Sequence, residues 1–536
     1  MPTSYGKHSL IRFLESIPGR LFTTFARRLR RRNARRYERN NSIDRLVSDI
    51  DSHGHARSAA LNERIQQLLA ALGCTLPTVN RTRTALDALV VALSPLDHER
   101  AWIMLAIIRG RLPTVEQVRA AVRHDESDGT IAALRVAIWS GPAPRLLDAG
   151  PFPAVRIIRD AVLVDVHHTA QASFATGIQR VTREAVRRWL PIHRPTLIGW
   201  HRDLSSLRLL TATEIRRTCW GGPMAAEPEP GPVLIPINCT YLLPELATET
   251  DRTEALMCLA QYSSNQLSVI GYDMVPVTTA ETCHPAIPPA FAKSLAATRY
   301  ARTVATISEA AAVEYRGWTR MVRGIGLPGP LIAACVLPNE AGSSTESELA
   351  DAGERLLLSG LPMVLVVGSH EPRKNHIAIL HAAEMLWREG LRFSLTFIGA
   401  RSWSSELFAE GLAMLQNQGR PIEDISAAAD SLLWCAYRLA RFTVFPSLNE
   451  GFGLPVVESI ACGTPVITAD FGSMREIAAQ GGALMIDPRD DRSLADAMRR
   501  MLTDDALLQR LSAEAARCPT RTWDTYAAQV WDLLVS

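Results

Sequence analysis

At 536 residues the chain exceeds one hydrophobic core and, at roughly 150 residues per domain, is expected to hold about three. A hydrophobic content of 47% with 21% charged residues describes a soluble globular chain, and nine scattered cysteines without a CxxC pair argue against a disulfide framework or zinc ribbon. The net charge of +3 conceals a basic arm: residues 20–39 carry nine arginines against Glu38, and the chain beyond the arm is acidic overall, which argues against nucleic acid as a partner.

Residues 1–40 form that arm. Leu21, Phe25 and Leu29 recur every four residues and share one helical face, with the arginines from Arg27 to Arg36 behind them. This composition suits an anionic membrane surface; the alternative is a helix that docks its apolar face on the protein's own body. No secretory core opens the chain, and the apolar stretches Ala101 to Ile108 and Met363 to Val367 are too short to cross a bilayer. The expected location is the cytoplasm, peripheral at the inner face of the cell membrane.

Residues 41–150 read as a helical accessory region, with helices over Ser58 to Leu72, Thr84 to Leu93, Glu99 to Ile108, Thr114 to Arg123 and Thr130 to Trp139. Thr114 and Gln117 form a capping-box pattern. No charged cluster, glycine loop or metal spacing occurs there.

After Gly150 short β-branched runs alternate with helical stretches: Val162 to Val166, Pro232 to Ile237, Leu267 to Tyr272 and Thr303 to Ile307. The stretch Glu340 to Glu348 reads as a linker, and a second series follows: Met363 to Val367, Leu395 to Ile398, Phe442 to Phe445, Pro465 to Thr468 and Ala483 to Ile486. The pattern predicts an α/β protein with two Rossmann-like domains facing a cleft, residues 151–339 and 349–520, before a final helix at 521–536.

Two segments carry chemistry. In the first, Glu450-Gly451-Phe452-Gly453-Leu454-Pro455 follows the strand Phe442 to Phe445 and leads into a helix bearing Glu458. Pro455 suits a first helical turn, and the glycines permit unusual dihedrals and close approach, so the segment offers an anion site at a helix N-terminus. Glu450 and Glu458 would accept hydrogen bonds from sugar or ribose hydroxyls; read alone, Glu458 would merely complement the helix dipole.

In the second, Gly368-Ser369-His370-Glu371-Pro372-Arg373-Lys374-Asn375 also joins a strand to a helix, with Asn375 as expected N-cap. Two cations before a helix N-terminus are locally unfavourable, and a diphosphate between Arg373 and Lys374 would remove the conflict. The alternative is a surface pair meeting Glu371 or another acid. Lys374 is one of three lysines in a chain that otherwise uses arginine. Together the segments suggest a nucleoside-diphosphate-sugar donor and glycosyl transfer, with no metal motif in sight.

These residues, with Phe445-Pro446-Ser447, Ala461-Cys462-Gly463-Thr464-Pro465, Arg475-Glu476, and the weaker Gly177-Ile178-Gln179-Arg180, Asp273-Met274-Val275-Pro276, Ser308-Glu309 and Thr522-Trp523, resemble retaining GT-B glycosyltransferases of the family-4 group, particularly mannosyltransferase-like members. The resemblance spans about residues 155–530 and leaves the first 150 unexplained.

The resemblance implies that Glu458 holds the donor ribose and Glu450 contacts the donor sugar. Arg373 and Lys374 would grip the diphosphate, near Gly368 and the amides around Gly451, Phe452, Gly453 and Leu454, and Gly177 would lie in a loop close to the phosphates. Asp273 would orient the acceptor, or simply cap the turn before Pro276. His167 and His168 read as loop packing. Ser369 and Asn449 depart from the family's usual residues. No metal and no cofactor beyond the nucleotide-sugar substrate are implied. The expected reaction moves a hexose, mannose or rhamnose, to a lipid-linked or surface polysaccharide such as lipopolysaccharide; the alternative is a catalytically idle GT-B scaffold acting as a binding or assembly subunit.

Overall fold

The computed structural model describes residues 42–52, 55–74, 82–139, 153–172, 176–222, 231–426 and 428–536. The basic arm, residues 1–40, lies outside the described residues. The chain divides into two compact units, residues 1–157 with 231–235, and residues 158–230 with 236–536.

The first unit is helical: α1 (Ile43–Asp51), α2 (His55–Ala71), α3 (Thr82–Leu93), α4 (His98–Arg109), α5 (Val115–Asp128) and α6 (Thr130–Trp139). All residues from Ala101 to Ile108 in α4 are buried, as expected of a helix apolar on every side. Asp97 caps its start, and Gly110, at φ 60°, closes its end. Arg64 of α2 donates to the carbonyls of Ile107 and Ile108, satisfying the last turn of α4. The capping box read from Thr114 and Gln117 is present at the start of α5.

The second unit holds two α/β halves. The first half runs β1 (Val155–Arg159), which straddles the division between units, then β2 (Val162–Asp165), α7 (His167–Gln171), α8 (Gly177–His193), β3 (Thr196–Trp200), β4 (Leu207–Leu209) and α9 (Ala212–Trp220). It continues with β5 (Val233–Ile237), also straddling, β6 (Thr240–Leu243), α10 (Thr250–Tyr262), β7 (Gln266–Gly271), α11 (Val275–Thr278), α12 (Ile287–Thr298), β8 (Thr303–Thr306), α13 (Glu309–Gly324) and β9 (Leu331–Ala334).

The second half contains α14 (Glu346–Leu356), β10 (Met363–Val367), α15 (His376–Arg388), β11 (Ser394–Ile398), α16 (Glu406–Asn417), β12 (Ile422–Ile425), α17 (Asp430–Leu439) and β13 (Phe442–Phe445). It ends with α18 (Leu454–Ala461), β14 (Val466–Ala469), α19 (Gly472–Ala478), β15 (Ala483–Ile486), α20 (Asp491–Thr503) and α21 (Asp505–Ala515), before α22 (Trp523–Val535).

In the first half β3, β2, β6, β7, β8 and β9 are neighbours in parallel, and β4 joins β3 antiparallel. In the second half the order β12-β11-β10-β13-β14-β15 is wholly parallel. Its inner strands β10 and β13 are short, mainly apolar runs, covered by helices on both faces. Strand order reverses between β10 and β13, so a crevice opens beyond their carboxyl ends, where open α/β sheets bind ligands. One mainly parallel and one wholly parallel sheet make up the expected GT-B fold. The last helix, α22, returns to the first half: Trp189 of α8 donates to the Ala527 carbonyl at 2.8 Å.

Local differences from the sequence reading have physical causes. The stretch read as a linker ends in helix, because Thr345 and Glu348 form a capping box that starts α14 at Glu346. Strand β6 went unread because the apolar runs on either side of Asn238, which turns the chain at φ 55°, merge in the sequence. Strand β12 carries Glu423 and Asp424, which an edge strand tolerates. All nine cysteines are free thiols.

Candidate active site

Two loops leave the carboxyl ends of β10 and β13, and a backbone hydrogen bond joins them. The Leu448 amide donates to the Arg373 carbonyl at 2.8 Å. Gly368, at φ 147°, turns the first loop out of β10, with the Lys374 stem 3.7 Å from where its side chain would begin. A single 3₁₀ turn, Pro372–Lys374, then aims both cations back across the sheet.

There Glu450 receives them. Arg373 Nη1 lies 2.6 Å from one carboxylate oxygen and Lys374 Nζ 2.6 Å from the other, while Ser447 Oγ donates to the latter at 2.6 Å. Arg373 also donates to the Asn449 carbonyl and pairs with Glu371 at 3.3 Å. Lys374 Nζ rests over the Phe445 ring at 4.8 Å. Burial works to raise the Glu450 carboxyl, but the charges of Arg373 and Lys374, with hydrogen bonds from Lys374 and Ser447, outweigh it and bring its pKa down to about 2. Burial opposes the charge on Arg373, yet Glu450, Glu371 and Asp273 hold its pKa above the ordinary value.

Of the two readings of this pair, the structure shows the meeting with acids: Glu450, a side chain of the neighbouring loop, contacts both cations, and Glu371 contacts Arg373. Arg373 and Lys374 are also largely buried, not a surface pair. Asn375 stands at the N-cap position of α15 but adopts φ 57° and makes no cap bond; its amide donates to the Pro488 carbonyl at 2.7 Å.

The segment from Glu450 to Glu458 forms its helix as expected. Gly453, at φ 109°, is the residue before α18, and Leu454 and Pro455 open the first turn. Gly451 is required for a different reason. A Cβ there would stand 2.7 Å from the Tyr272 carbonyl oxygen and 2.9 Å from Asp273 Cβ. The Ser308 hydroxyl donates to the Gly451 carbonyl at 2.7 Å, fastening the loop to the first half. Phe452 packs in the core, 4% exposed.

Glu458 is buried within α18. Tyr437 Oη donates to one of its oxygens at 2.9 Å, and Arg180 of α8 forms an ion pair with the other. Gly177 begins α8, and a Cβ on it would meet the Leu454 side chain at 3.8 Å. The starts of α8 and α18 therefore abut.

Asp273 follows β7. Its carboxylate accepts from the Val275 amide at 3.1 Å, the turn-capping role, and burial raises its pKa. It also lines a cavity of about 210 Å³ with Glu371 and Arg373. Capping and facing the cleft thus coexist.

His167 and His168 begin α7 beside a buried group in which Arg252 meets Asp165 and Glu245, each at 3.0 Å. His168 Nε2 lies 2.7 Å from Glu249. Burial, followed by the charge of Arg252, lowers the His167 pKa to about 4.

Sequence reasoning did not assign roles to Arg180, Tyr437 or Ser447. Arg180 and Ser447 lay within recognised motifs, but neither spacing nor residue type signals a partner in another element. Among the described residues no cluster of His, Cys, Asp and Glu suited to a metal occurs.

Residues 352–517 match the family model for glycosyl transferases group 1. The chain is 28% identical over 337 residues to the serotype-specific mannosyltransferase WbdA of Escherichia coli, covering 60% of this chain and 39% of that protein. It is 30% identical over 167 residues to the O-antigen chain mannosyltransferase B of Escherichia coli, covering 31% of this chain and 43% of that protein. A sucrose-phosphate synthase structure from Thermosynechococcus elongatus is similar at 19% identity and a TM-score of 0.49, over 71% of this chain and 98% of that one. The chain spans about two fifths of the length of the curated relatives it matches. The chain has the two-sheet α/β architecture of the GT-B fold, and residues 352–517 within its second half match the group 1 glycosyl transferases.

Proposed function

We propose that the protein is a retaining glycosyltransferase that moves a hexose from a nucleoside-diphosphate sugar to a lipid-linked or surface polysaccharide. The mannosyltransferase relatives in Escherichia coli favour mannose over rhamnose. One observation carries the reading: Arg373 and Lys374 converge on Glu450 at the switch point between β10 and β13.

Arg373 and Lys374 share Glu450, and Arg373 also meets Glu371, in a largely desolvated place next to the start of α18. A diphosphate would compete with these carboxylates for the two cations. When the bond from the sugar's anomeric carbon to the phosphate oxygen breaks, charge grows on that oxygen, and Arg373, Lys374 and the α18 amides stabilise it. The acceptor oxygen forms the new bond on the same face, and its proton passes to the departing phosphate. Glu450 orders the two cations and faces the sugar, Glu458 faces the ribose, and Asp273 orients the acceptor. The chain's own cations carry the charge, so a metal is not needed in this scheme.

The composition of the basic arm, residues 1–40, supports a reaction at an anionic membrane surface, peripheral at its inner face. Among the described residues no helix is long and apolar enough to cross a membrane.

A panel of nucleotide sugars, including GDP-mannose, dTDP-rhamnose and UDP-glucose, screened for thermal stabilisation and then for transfer tests the reading. Stabilisation by one nucleotide class with transfer of its sugar supports it. Binding without transfer or donor hydrolysis returns the idle-scaffold alternative, and no binding at all removes the donor site.

A further inference from the structure

The cavity beside Asp273 and Arg373 reaches into the first half between β7 and α12. Its inner walls are Leu243, Val269, Ile270, Phe291 and Leu295, all buried. Several polar side chains among its other walls are engaged elsewhere. Glu245 accepts from the amides of His168 and Thr169 and pairs with Arg252. Thr298 Oγ1 donates to the Ser294 carbonyl, Thr282 Oγ1 to the Thr279 carbonyl, and Tyr272 Oη to the Pro244 carbonyl. A sugar needs hydrogen-bond partners on most of its edges, and these inner walls offer few. Apolar cavities of this kind stay dry and take hydrocarbon.

The mouth is different in chemistry. Asp273, Glu371 and Arg373 line it from the transfer centre, and the His284 and Trp403 rings meet edge to face at 5.9 Å. Ile287, another wall residue, is 38% exposed. Polar groups and an aromatic pair suit a sugar ring or phosphate; the depth beyond them suits alkyl or isoprenoid carbon. At roughly 30 Å³ for each water-sized group, the cavity of about 210 Å³ admits about seven carbons.

We infer that this cavity binds the hydrocarbon attached to the acceptor, so that the acceptor enters as an amphiphile with its hydroxyl at Asp273 and the first carbons of its chain against Val269, Phe291 and Leu295. This rests on the glycosyltransferase reading above and narrows its acceptor to the lipid-linked class. A free polysaccharide end would leave the inner cavity empty.

Calorimetric titration of the full chain with methyl, hexyl and octyl α-mannoside, below their micelle concentrations and with GDP or UDP present, tests it. Affinity is expected to rise steeply with chain length, toward about fourfold per buried methylene, with octyl at least about 30-fold tighter than methyl. Val269→Phe, which fills the cavity, should erase that difference while nucleotide affinity stays unchanged. Should Val269→Phe fail to fold, Phe291→Ala carries the test, since an enlarged cavity moves the preferred chain to greater length. Equal affinity for methyl and octyl in the wild type, or an unchanged chain-length preference in the folded variants, overturns the proposal. Nucleotide binding measured in the same cell separates the two readings: its loss counts against the donor site, whereas its presence without chain-length dependence counts only against the hydrocarbon site.

Discussion

The Arg180 guanidinium, on the second turn of α8, pairs with the Glu458 carboxylate on α18, joining the two halves of the second unit across 278 positions of sequence. The same guanidinium lies 5.8 Å from the centre of the Trp434 ring, and Tyr437 fills the second oxygen of Glu458. The carboxylate expected to face the donor's ribose is thus already engaged, and a ribose must share it or displace Arg180.

Arg180→Ala leaves Glu458 buried with Tyr437 as its remaining partner. The expected loss of stability is about 2–4 kcal/mol, because a buried charge then lacks its counterpart. Thermal denaturation of the two single variants and the Arg180→Ala, Glu458→Gln double variant should return a coupling above about 1 kcal/mol. Additive effects would mean that the two residues act independently.

Glu450→Gln removes the charge that holds Arg373 and Lys374 together. Turnover should fall by about 100-fold or more, as for loss of a group at the reacting centre, while the far-ultraviolet spectrum stays native. An unchanged turnover number would take Glu450 out of the mechanism.

Lys374→Ala should weaken nucleoside-diphosphate binding by about 1–3 kcal/mol, the range for one charge-assisted contact. Arg373 and the α18 start remain, so binding is reduced and not abolished. Titration calorimetry giving equal affinities for variant and wild type would disprove the phosphate role.

Acid stability should carry the signature of Glu450. Its folded pKa of about 2 lies below the ordinary 4.5, so its contribution is complete above about pH 4.5 and fades as pH falls toward 2. The amount is of the order of 3 kcal/mol. Melting temperature followed from pH 6 to pH 3 should drop more steeply for the wild type than for Glu450→Gln. Parallel curves would show that the carboxylate is not so strongly held.

Gly451→Ala forces a methyl group against the Tyr272 carbonyl and Asp273. Both contacts are with firmly placed atoms, so the Glu450 loop must move away from the first half. A stability loss of about 1–3 kcal/mol is expected, with activity falling further than stability alone explains. Chemical denaturation and initial rates on one preparation would separate the two effects; a variant equal to wild type in both would show that the loop has room to spare.

Much of the architecture was readable along the chain because parallel strands buried on both faces must be short continuous apolar runs. Met363–Val367 and Phe442–Phe445 have the bounds that their composition predicts, and so does the edge strand Ala483–Ile486, although it is only partly buried. Capping chemistry was equally local, as Thr114 with Gln117 shows. Thr345 with Glu348 was just as available and went unread inside a polar stretch.

The sequence by itself determined which residues could form a charged site: cations after one strand, and a glycine turn, a proline and two carboxylates after another. These are local facts, set by backbone freedom, helix ends and charge. Tertiary structure decided who meets whom. Glu450 lies between Arg373 and Lys374; Arg180 reaches Glu458; Asn375 turns from its helix toward Pro488. Pairing across tens to hundreds of residues depends on strand order and helix packing, and neither is written in the spacing of any one segment.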